Sequence, residues 1–318
     1  MDREQLQTRI RACFPNLLWS ECRLLRCDHD VLILNEQLVF RFDTTEEAPL
    51  AVEVPFLRSI QYTLGVSVPN YEYVAQDFEL AGYPRIDGEP LTPEIYNSLS
   101  PNQRRGAAQE LKKALEVLHS YPMDKAKSLG IGKAMTYRDW IGKHLYFYIL
   151  LVRHNNLTEK EMQYCDKINK TILDASYNEA SRICVVHGDL CPEHILINPE
   201  HEKLAGIIDF GDVAIGDLSS DFGFLWEYGE DFIDMMLEDC ETEDREEIKE
   251  DSWKWWYMRA IWSLLVGVSE KSYEHWRKGY RIFPDEVRKP GRYRDWGYGL
   301  EQRFSLRQLN KERIIWAV

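Results

Sequence analysis

Two short stretches carry acidic residues in positions that suggest chemistry. Residues 184–197 begin as an apolar run, pass through a His-Gly-Asp triplet that ends at Asp189, and continue to His194. Residues 207–212 begin Ile-Ile and continue with Asp209, Phe, Gly and Asp. Each apolar run predicts a buried strand that ends in acidic residues beside glycine. Carboxylates at two neighbouring strand ends suit phosphoryl transfer, in which one orients a hydroxyl nucleophile and the other holds magnesium on a nucleotide.

Each of these residues also has a structural explanation. Asp189 alone could be a turn residue after a buried strand, and His194 could be a hydrogen-bonded histidine of the fold. The presence of Asp209 favours function, because both acids end apolar strands. Gly188 would let the backbone turn tightly before Asp189. We expect Asp189 to orient or accept the proton of a substrate hydroxyl, and His194 to reach a metal or a phosphate.

The composition limits the partners of this chain of 318 residues. Apolar residues make up 44% and aromatic residues 12%, which is typical of a folded protein. The formal charge of -14 argues against nucleic-acid and anionic-membrane partners and leaves room for a cationic one. Seven cysteines without paired spacing favour reduced thiols. With no secretory pattern and no apolar run longer than 261–268, we expect a cytoplasmic protein without a membrane partner.

The first part of the chain is rich in strand patterns. Residues 6–14 predict a short helix, and residues 31–42 predict a hairpin with strand-type residues on both sides of its turn. A helix is expected between residues 45 and 62. Two further strand-like runs fall within residues 68–80, and the segment 81–85 is expected to break them. These elements describe a small β-rich lobe with one helix.

Helical patterns follow. Capping boxes at residues 100–103 and 158–161 each open a predicted amphipathic helix. A later apolar stripe at helical spacing predicts core; its members are Trp253, Trp256, Ala260 and Leu264. The fold class is therefore α+β. The predicted division is a nucleotide-binding lobe over residues 1–84 and a mainly helical catalytic and substrate-binding lobe over residues 85–318.

The two acidic stretches together resemble the aminoglycoside phosphotransferases, which are small-molecule kinases with a bilobal protein-kinase-like fold. Residues 82–93, Gly-Tyr-Pro-Arg-Ile-Asp-Gly-Glu-Pro-Leu-Thr-Pro, are similar to the hinge of the 2''-O-phosphotransferase branch. Residues 212–217, Asp221 with the following Phe, and the segment 295–300 also resemble that branch. The resemblance covers nearly the whole chain.

The resemblance implies the roles of the central residues. Asp189 would be the catalytic aspartate and Asp209 the main magnesium ligand. His194 stands at the second metal position, where most of the superfamily has asparagine and the 2'' branch has histidine.

The resemblance also implies a nucleotide site, with Mg2+ as cofactor and ATP or GTP as donor. Arg41 stands where kinases place a phosphate-binding lysine, and Glu53 would be its ion-pair partner. Because proline inside a helix costs about 3 kcal/mol or more, we expect the helix to begin nearer Pro55, with Glu53 at its mouth. A surface-charge explanation for Arg41 and Glu53 stays open, and the loop 26–30 has no glycine to cover phosphates.

The hinge would offer backbone groups to the purine base. The remaining nucleotide-binding residues that the resemblance implies are Tyr83, Arg85, Ile86 and Ile208. A plain turn is the competing explanation for the hinge, and both ATP and GTP fit it.

An acidic stretch would bind the cationic substrate. Residues 227–251 hold 13 acids against one arginine and one lysine, a balance that concentrates polyamines. We assign residues 238–251 to a solvated helix face. The assigned substrate-binding residues are Glu227, Glu230, Asp231, Asp221, Asp295 and Trp296. Trp296 beside an acid suits a sugar face with an ammonium group, although plain packing also explains it.

These features predict a monomeric NTP-dependent aminoglycoside O-phosphotransferase that acts at the 2'' hydroxyl. One alternative is a kinase of another hydroxyl compound, such as a macrolide or a metabolite. The other is a non-catalytic nucleotide-binding relative, which the glycine-free loop and Arg41 would suit.

Overall fold

The computed structural model describes residues 2–26, 30–43, 49–174, 182–198 and 203–288. Its contacts divide the chain into two compact units. The first comprises Met1–Ala134 and Ile183–Glu246, and the second Met135–Arg182 and Glu247–Val318. The predicted lobe boundary at residue 84 falls within the first unit and stays a prediction.

The first unit holds all the strands of the described residues. The first five strands are β1 (Cys22–Arg26), β2 (Asp30–Leu34), β3 (Leu38–Phe42), β4 (Tyr73–Val74) and β5 (Leu80–Pro84). They form one antiparallel sheet with the order β1-β2-β3-β5-β4. The shorter strands are β6 (Glu89–Pro90), β7 (Ile183–Val186), β8 (Ile195–Asn198), β9 (Lys203–Ile207) and β10 (Ala214–Asp217). These shorter strands form two small sheets: β7 pairs with β10, and β8 lies between β6 and β9.

Helices complete both units. Those of the first unit are α1 (Arg3–Cys13), α2 (Pro49–Ile60), α3 (Pro93–Ser98), α4 (Pro101–His119), α5 (Met123–Ser128), α8 (Ser219–Phe222) and α9 (Glu230–Met236). The others are α6 (Tyr137–Arg153), α7 (Glu159–Asp174), α10 (Thr242–Ser269) and α11 (Tyr273–Tyr280). The predicted α+β mixture is confirmed.

The predicted hairpin forms between β2 and β3. Its turn places Asn35 and Glu36 at φ 49° and 54°, and Gln37 N–H donates to the Leu34 carbonyl at 2.9 Å, which is the geometry of a tight hairpin turn. The expected break over residues 81–85 is wrong, because β5 continues to Pro84. Gly82 fits this strand since a Cβ there would lie 2.4 Å from the Phe40 ring.

Helix α2 contradicts the expectation that a helix begins near Pro55. It runs from Pro49 to Ile60 with Pro55 inside, so Glu53 lies in the helix and not at its mouth. The cost of an interior proline, about 3 kcal/mol, is offset by burial of apolar side chains, each of which contributes roughly 1.5–3 kcal/mol. The buried apolar residues of α2 are Leu50, Val54, Phe56, Leu57 and Ile60.

The second unit has a helical core built from α6, α7, α10 and α11. In the predicted stripe of α10, Ala260 and Leu264 are buried in the core, whereas Trp253 and Trp256 are partly buried and pack against it.

Both predicted capping boxes form: Ser100 with Gln103 at the start of α4, and Thr158 with Glu161 at the start of α7. Among the described residues, no helix combines the length and hydrophobicity needed to cross a bilayer.

Part of the acidic stretch is not a solvated face. Asp251, which we assigned to that face, is only 5% exposed. It pairs with Arg182 and accepts a hydrogen bond from Lys254 Nζ at 3.1 Å. Asp251 is therefore a buried structural acid, which the charge pattern of the sequence does not reveal.

Candidate active site

The loop between β7 and β8 presents Asp189. Gly188 precedes it at φ +85°, the left-handed region that favours glycine. The Cys191 N–H then donates to the Asp189 carbonyl at 2.9 Å, and a short 3-10 turn, Pro192–His194, leads into β8. The Asp189 side chain is about one-third exposed, at 34%. The loop therefore holds this carboxylate in a defined position that solvent reaches.

We expect Gly188→Ala to abolish function. A Cβ at this position would lie 2.2 Å from the Asp212 carbonyl oxygen, and the left-handed backbone alone costs a non-glycine residue about 1–3 kcal/mol. Any activity that depends on the Asp189 carboxylate should fall more than roughly 100-fold, because a small displacement of a reacting group is costly. Gly106→Ala is the matched control, since nothing lies within 4 Å of its added Cβ. Wild-type activity in Gly188→Ala would contradict this account of the loop.

Asp209 ends the neighbouring segment. It follows β9 with φ 65° and ψ 63°, so it is a non-glycine residue in the left-handed region. Such strained positions are found at functional sites. Its Oδ1 lies 3.0 Å from Arg41 Nη1, and its side chain is 37% exposed. The second carboxylate oxygen of Asp209, Oδ2, lies 3.4 Å from His194 Nε2.

His194 joins the two acids. Its Nδ1 lies 3.6 Å from Asp189 Oδ2, and its Nε2 lies 3.4 Å from Asp209 Oδ2. Asp189 and Asp209 therefore flank one imidazole ring, as neighbouring strand ends predict. The Nδ1 also lies 2.8 Å from the Asp189 carbonyl oxygen, which only accepts, so Nδ1 carries the hydrogen. In the neutral ring the lone pair is then on Nε2, which faces Asp209.

This donor pair fits a divalent cation. Asp209 supplies a carboxylate oxygen, and His194 can supply Nε2, because its Nδ1 donates to the Asp189 carbonyl. Orientation of a ligating histidine through its other ring nitrogen is usual in metal sites. Asp189 is not needed as a ligand in this arrangement.

Arg41 is buried behind Asp209. Its Nη1 donates to both Glu53 oxygens, at 3.1 and 3.0 Å, and Glu53 also accepts from the Tyr71 hydroxyl at 2.9 Å. Arg41 is 6% exposed and Glu53 is 0% exposed. The structure thus forms the predicted ion pair and excludes the surface-charge explanation for both residues.

Arg41 and Glu53 each stabilise the charged form of the other against the effect of burial. Burial disfavours the charge on Arg41, but Glu53, Tyr71 and Asp209 raise its pKa above the ordinary value. Burial raises the pKa of Glu53, although Arg41, the Tyr71 hydroxyl and the Phe210 N–H stabilise its charged form. Removal of one partner would therefore leave a buried charge without compensation.

His187 forms hydrogen bonds with both of the segments that carry the acids, one to Ile208 and one to Asp189. Its Nε2 donates to the Ile208 carbonyl at 3.1 Å, and its Nδ1 accepts from the Asp189 N–H at 3.3 Å. Burial lowers the pKa of His187, so the ring is neutral, as this pair of hydrogen bonds requires. His187 is a positioning residue that connects the backbone of Asp189 with the residue before Asp209.

Asp221 does not bind substrate directly, which corrects our assignment. It is fully buried, and its carboxylate accepts from the N–H groups of His187 and Gly188 at 3.0 and 3.1 Å. His119 Nε2 lies 2.9 Å from the same carboxylate. Burial opposes the negative charge, but the contacts with His119 and His187 lower the pKa of Asp221. Asp221 therefore fixes the backbone that precedes Asp189.

His119 is the residue that the sequence analysis missed. It is the last residue of α4 and is separated from Asp221 by 102 positions. A basic residue in the last turn of a helix is common and is explained by the helix dipole. No local pattern distinguishes this histidine from others of that kind.

The hinge residues divide between different environments. The Tyr83 side chain is buried edge-on against Tyr71, with ring centroids 5.1 Å apart. The Arg85 N–H donates to the Gln37 carbonyl at 2.7 Å, and its guanidinium pairs with Glu36 at 3.1 Å. The Arg85 N–H is therefore not available to a purine, which corrects that part of the hinge prediction.

The two isoleucines that we assigned to nucleotide binding, Ile86 and Ile208, make contacts with β9 and with the turn before β8. The side chain of Ile86 packs against Gly206 of β9. The N–H of Ile208 donates to the His194 carbonyl at 2.9 Å. Both side chains are half-buried, and their nucleotide contacts stay a prediction.

The predicted substrate acids lie in one segment. Glu230 and Asp231 are exposed in the first turn of α9, and Glu227 is half-buried in the 3-10 turn Phe224–Tyr228 before it. The turn Phe224–Tyr228 packs against the 3-10 turn Pro192–His194 of the Asp189 loop. The acids therefore belong to a segment adjacent to that loop. Asp295, Trp296 and residues 27–29 lie outside the described residues.

Known structures of small-molecule kinases have the same fold. The GDP and kanamycin complex of APH(2'')-IIIa superposes with a TM-score of 0.71 at 22% identity, and covers 88% of this chain and 97% of its own. Macrolide 2'-phosphotransferase type I superposes with a TM-score of 0.63 at 19% identity, over 89% and 98%. The predicted protein-kinase-like fold class is confirmed.

The sequence comparisons agree with the fold. An aminoglycoside 3'-phosphotransferase of Streptomyces ribosidificus is 37% identical over 49 residues, which are 15% of this chain and 19% of that enzyme. Residues 30–253 match the family described as phosphotransferase enzyme family, APH. Because this match spans more than half of the chain and includes Arg41, Asp189 and Asp209, the protein belongs to that family.

Proposed function

We propose that this protein transfers the γ-phosphoryl group of ATP or GTP to a hydroxyl of a cationic aminosugar, at the 2'' position of an aminoglycoside. The supporting observation is the placement of Asp189 and Asp209 on opposite sides of the His194 ring. One acid can then meet the acceptor hydroxyl while the other faces the donor.

The roles follow from the contacts. Asp189 orients the acceptor hydroxyl and takes its proton, and Arg41 directs positive charge toward the nucleotide phosphates. Asp209 and His194 Nε2 would hold Mg2+, which supplies neutralisation of the phosphate charge when bound. Asp221 and His187 keep the loop in place. Little covalent chemistry is required, since positioning and charge carry most of the catalysis in phosphoryl transfer.

Mass spectrometry of an acceptor panel tests the proposal. Kanamycin and gentamicin are incubated with the protein and either ATP or GTP, and a neutral sugar and a macrolide serve as comparison acceptors. We expect a single added phosphoryl group on the aminoglycosides, at the 2'' position by NMR. Turnover of the macrolide alone would reject the aminoglycoside class of acceptor, and no turnover by folded protein would reject the activity.

Charge reversal at the start of α9 should weaken binding of a cationic acceptor. In the double variant Glu230→Lys with Asp231→Lys, we expect KM to rise about tenfold while kcat changes less than threefold, because exposed acids attract polyamines without touching the reacting atoms. Glu243→Lys with Asp244→Lys is the matched control on another exposed helix start. The effect should shrink at high salt. Equal KM values for the two variants would remove these acids from the acceptor site.

A further inference from the structure

Tyr71 is a buried tyrosine to which the proposed phosphotransfer assigns no role. It lies between α2 and β4 and is 2% exposed. Two bonds attach it to α2: its hydroxyl donates to Glu53 Oε1 at 2.9 Å, and its carbonyl accepts from Arg58 Nη2 at 3.1 Å. Its ring packs edge-on against Tyr83 of β5, with the ring centroids 5.1 Å apart. Tyr71 therefore joins the helix of Glu53 to the strand that leads into the hinge.

The position of Glu53 depends on contacts outside its own helix, because Pro55 lies two residues further along α2. Proline has no N–H, so α2 lacks the bond that residue 55 would otherwise donate to the carbonyl of residue 51. A helix bends readily at such an interruption. Glu53 precedes the proline and Arg58 follows it, and both are bonded to Tyr71. Tyr71 thus holds together the two parts of α2 on either side of Pro55.

We propose that Tyr71 is a positioning residue of the nucleotide site, which fixes Glu53 and through it the groups that meet the triphosphate. Glu53 accepts from Arg41 Nη1 at 3.1 and 3.0 Å, and the same nitrogen lies 3.0 Å from Asp209 Oδ1. Glu53 also accepts from the Phe210 N–H, which belongs to the peptide group that follows Asp209. Glu53 therefore acts on both the side chain and the backbone of Asp209. This role rests on the proposed function, in which the triphosphate is the donor.

The hydroxyl of Tyr71 gives Glu53 an uncharged donor that lies apart from Arg41. Burial and the charge of Glu53 raise the pKa of Tyr71, so the hydroxyl keeps its proton and donates. Without this bond, the attraction of the opposite charge on Arg41 would determine where Glu53 lies. We expect Glu53 to shift toward Arg41 and Nη1 to turn from Asp209. The phosphate end of the site would then lose its geometry.

Tyr71→Phe tests this role, because it removes the hydroxyl and keeps the ring that packs against Tyr83. Dissociation constants are measured by calorimetry for whichever of ATP and GTP binds more tightly, with excess Mg2+, and by ligand-observed NMR for the corresponding nucleoside. Tyr148→Phe is the matched control, since Tyr148 is a buried tyrosine of the second unit whose hydroxyl donates to Asp166 Oδ1 at 2.7 Å. Thermal unfolding compares the stability of the two variants.

We expect the triphosphate to bind about tenfold more weakly to Tyr71→Phe, because small displacements at such a site are costly. The affinity for the nucleoside should change less than about twofold, since it makes no phosphate contacts. Tyr148→Phe should bind both as the wild type does. In a Glu53→Gln background, Tyr71→Phe should weaken triphosphate binding by less than about a further twofold, the non-additivity of residues that act through one another.

A folded Tyr71→Phe variant with unchanged triphosphate affinity would overturn the positioning role. Equal weakening of triphosphate and nucleoside, or full additivity with Glu53→Gln, would also overturn it. A wild type that binds no nucleotide would reject both this role and the proposed function. The expected difference between triphosphate and nucleoside, found in a protein that phosphorylates no acceptor, would support the role of Tyr71 and count against the proposed function. The two failures are therefore distinguishable.

Discussion

Replacement of Asp189 by asparagine should reduce turnover by roughly 10²–10⁴-fold, the range that general-base groups contribute. Asparagine has nearly the same shape, so the loop is expected to fold unchanged. The backbone of residue 189 still accepts from Cys191 and donates to His187, since these bonds do not involve the side chain. The lost feature is the negative charge that orients the acceptor hydroxyl and takes its proton.

Nucleotide affinity separates this effect from general damage. Because Asp209, His194 and Arg41 are unchanged, the dissociation constants for ATP and GTP should stay within about threefold of the wild type in Asp189→Asn. Asp124→Asn, an exposed acid in α5, should have wild-type turnover. The measurements are single-turnover phosphotransfer and nucleotide binding by fluorescence. Turnover of Asp189→Asn close to that of the wild type would remove this residue from the chemistry.

The central motif could be predicted from the sequence because its determinants are local. An apolar run, a glycine with φ +85° and an acid at a strand end determine the position of Asp189 within a few residues. The same applies to Asp209. The two acids lie at either end of the antiparallel pair β8 and β9 in the sequence, and the turn before β8 carries His194 between them.

Residues whose roles depend on packing could not be predicted in this way. Asp221 has the same residue type as Asp189, and only tertiary contacts with His119 and the N–H groups of the loop make it a buried support. Secondary structure at Pro55 could not be predicted either. Proline disfavours a helix locally, but burial of the apolar face of α2 overrides that preference. At the hinge, the Arg85 N–H donates to the Gln37 carbonyl and so is not available to a purine. Gln37 is distant in sequence, so no local pattern reveals this bond.

Replacement of Arg41 by methionine should destabilise the protein by about 3–5 kcal/mol, the usual cost of removing one partner of a buried ion pair. Methionine fills similar volume, but Glu53 would lose its cationic partner and, among the described residues, would keep its bonds from the Tyr71 hydroxyl and the Phe210 N–H. Thermal unfolding should detect this loss. Arg41→Lys should cost less, because lysine keeps a positive charge for Glu53 and Asp209, both of which contact the single nitrogen Nη1 of Arg41.

The double variant Arg41→Met with Glu53→Gln distinguishes stability from function. The neutral amide that replaces the Glu53 carboxylate can still accept from Tyr71, so the buried charge is gone and much of the stability should return. Nucleotide affinity should not return, since no cation beside Asp209 then faces the phosphates. If the double variant regained nucleotide affinity together with stability, Arg41 would be only a structural residue. Loss of affinity in a variant that unfolds near the wild-type temperature would instead support its role in nucleotide binding.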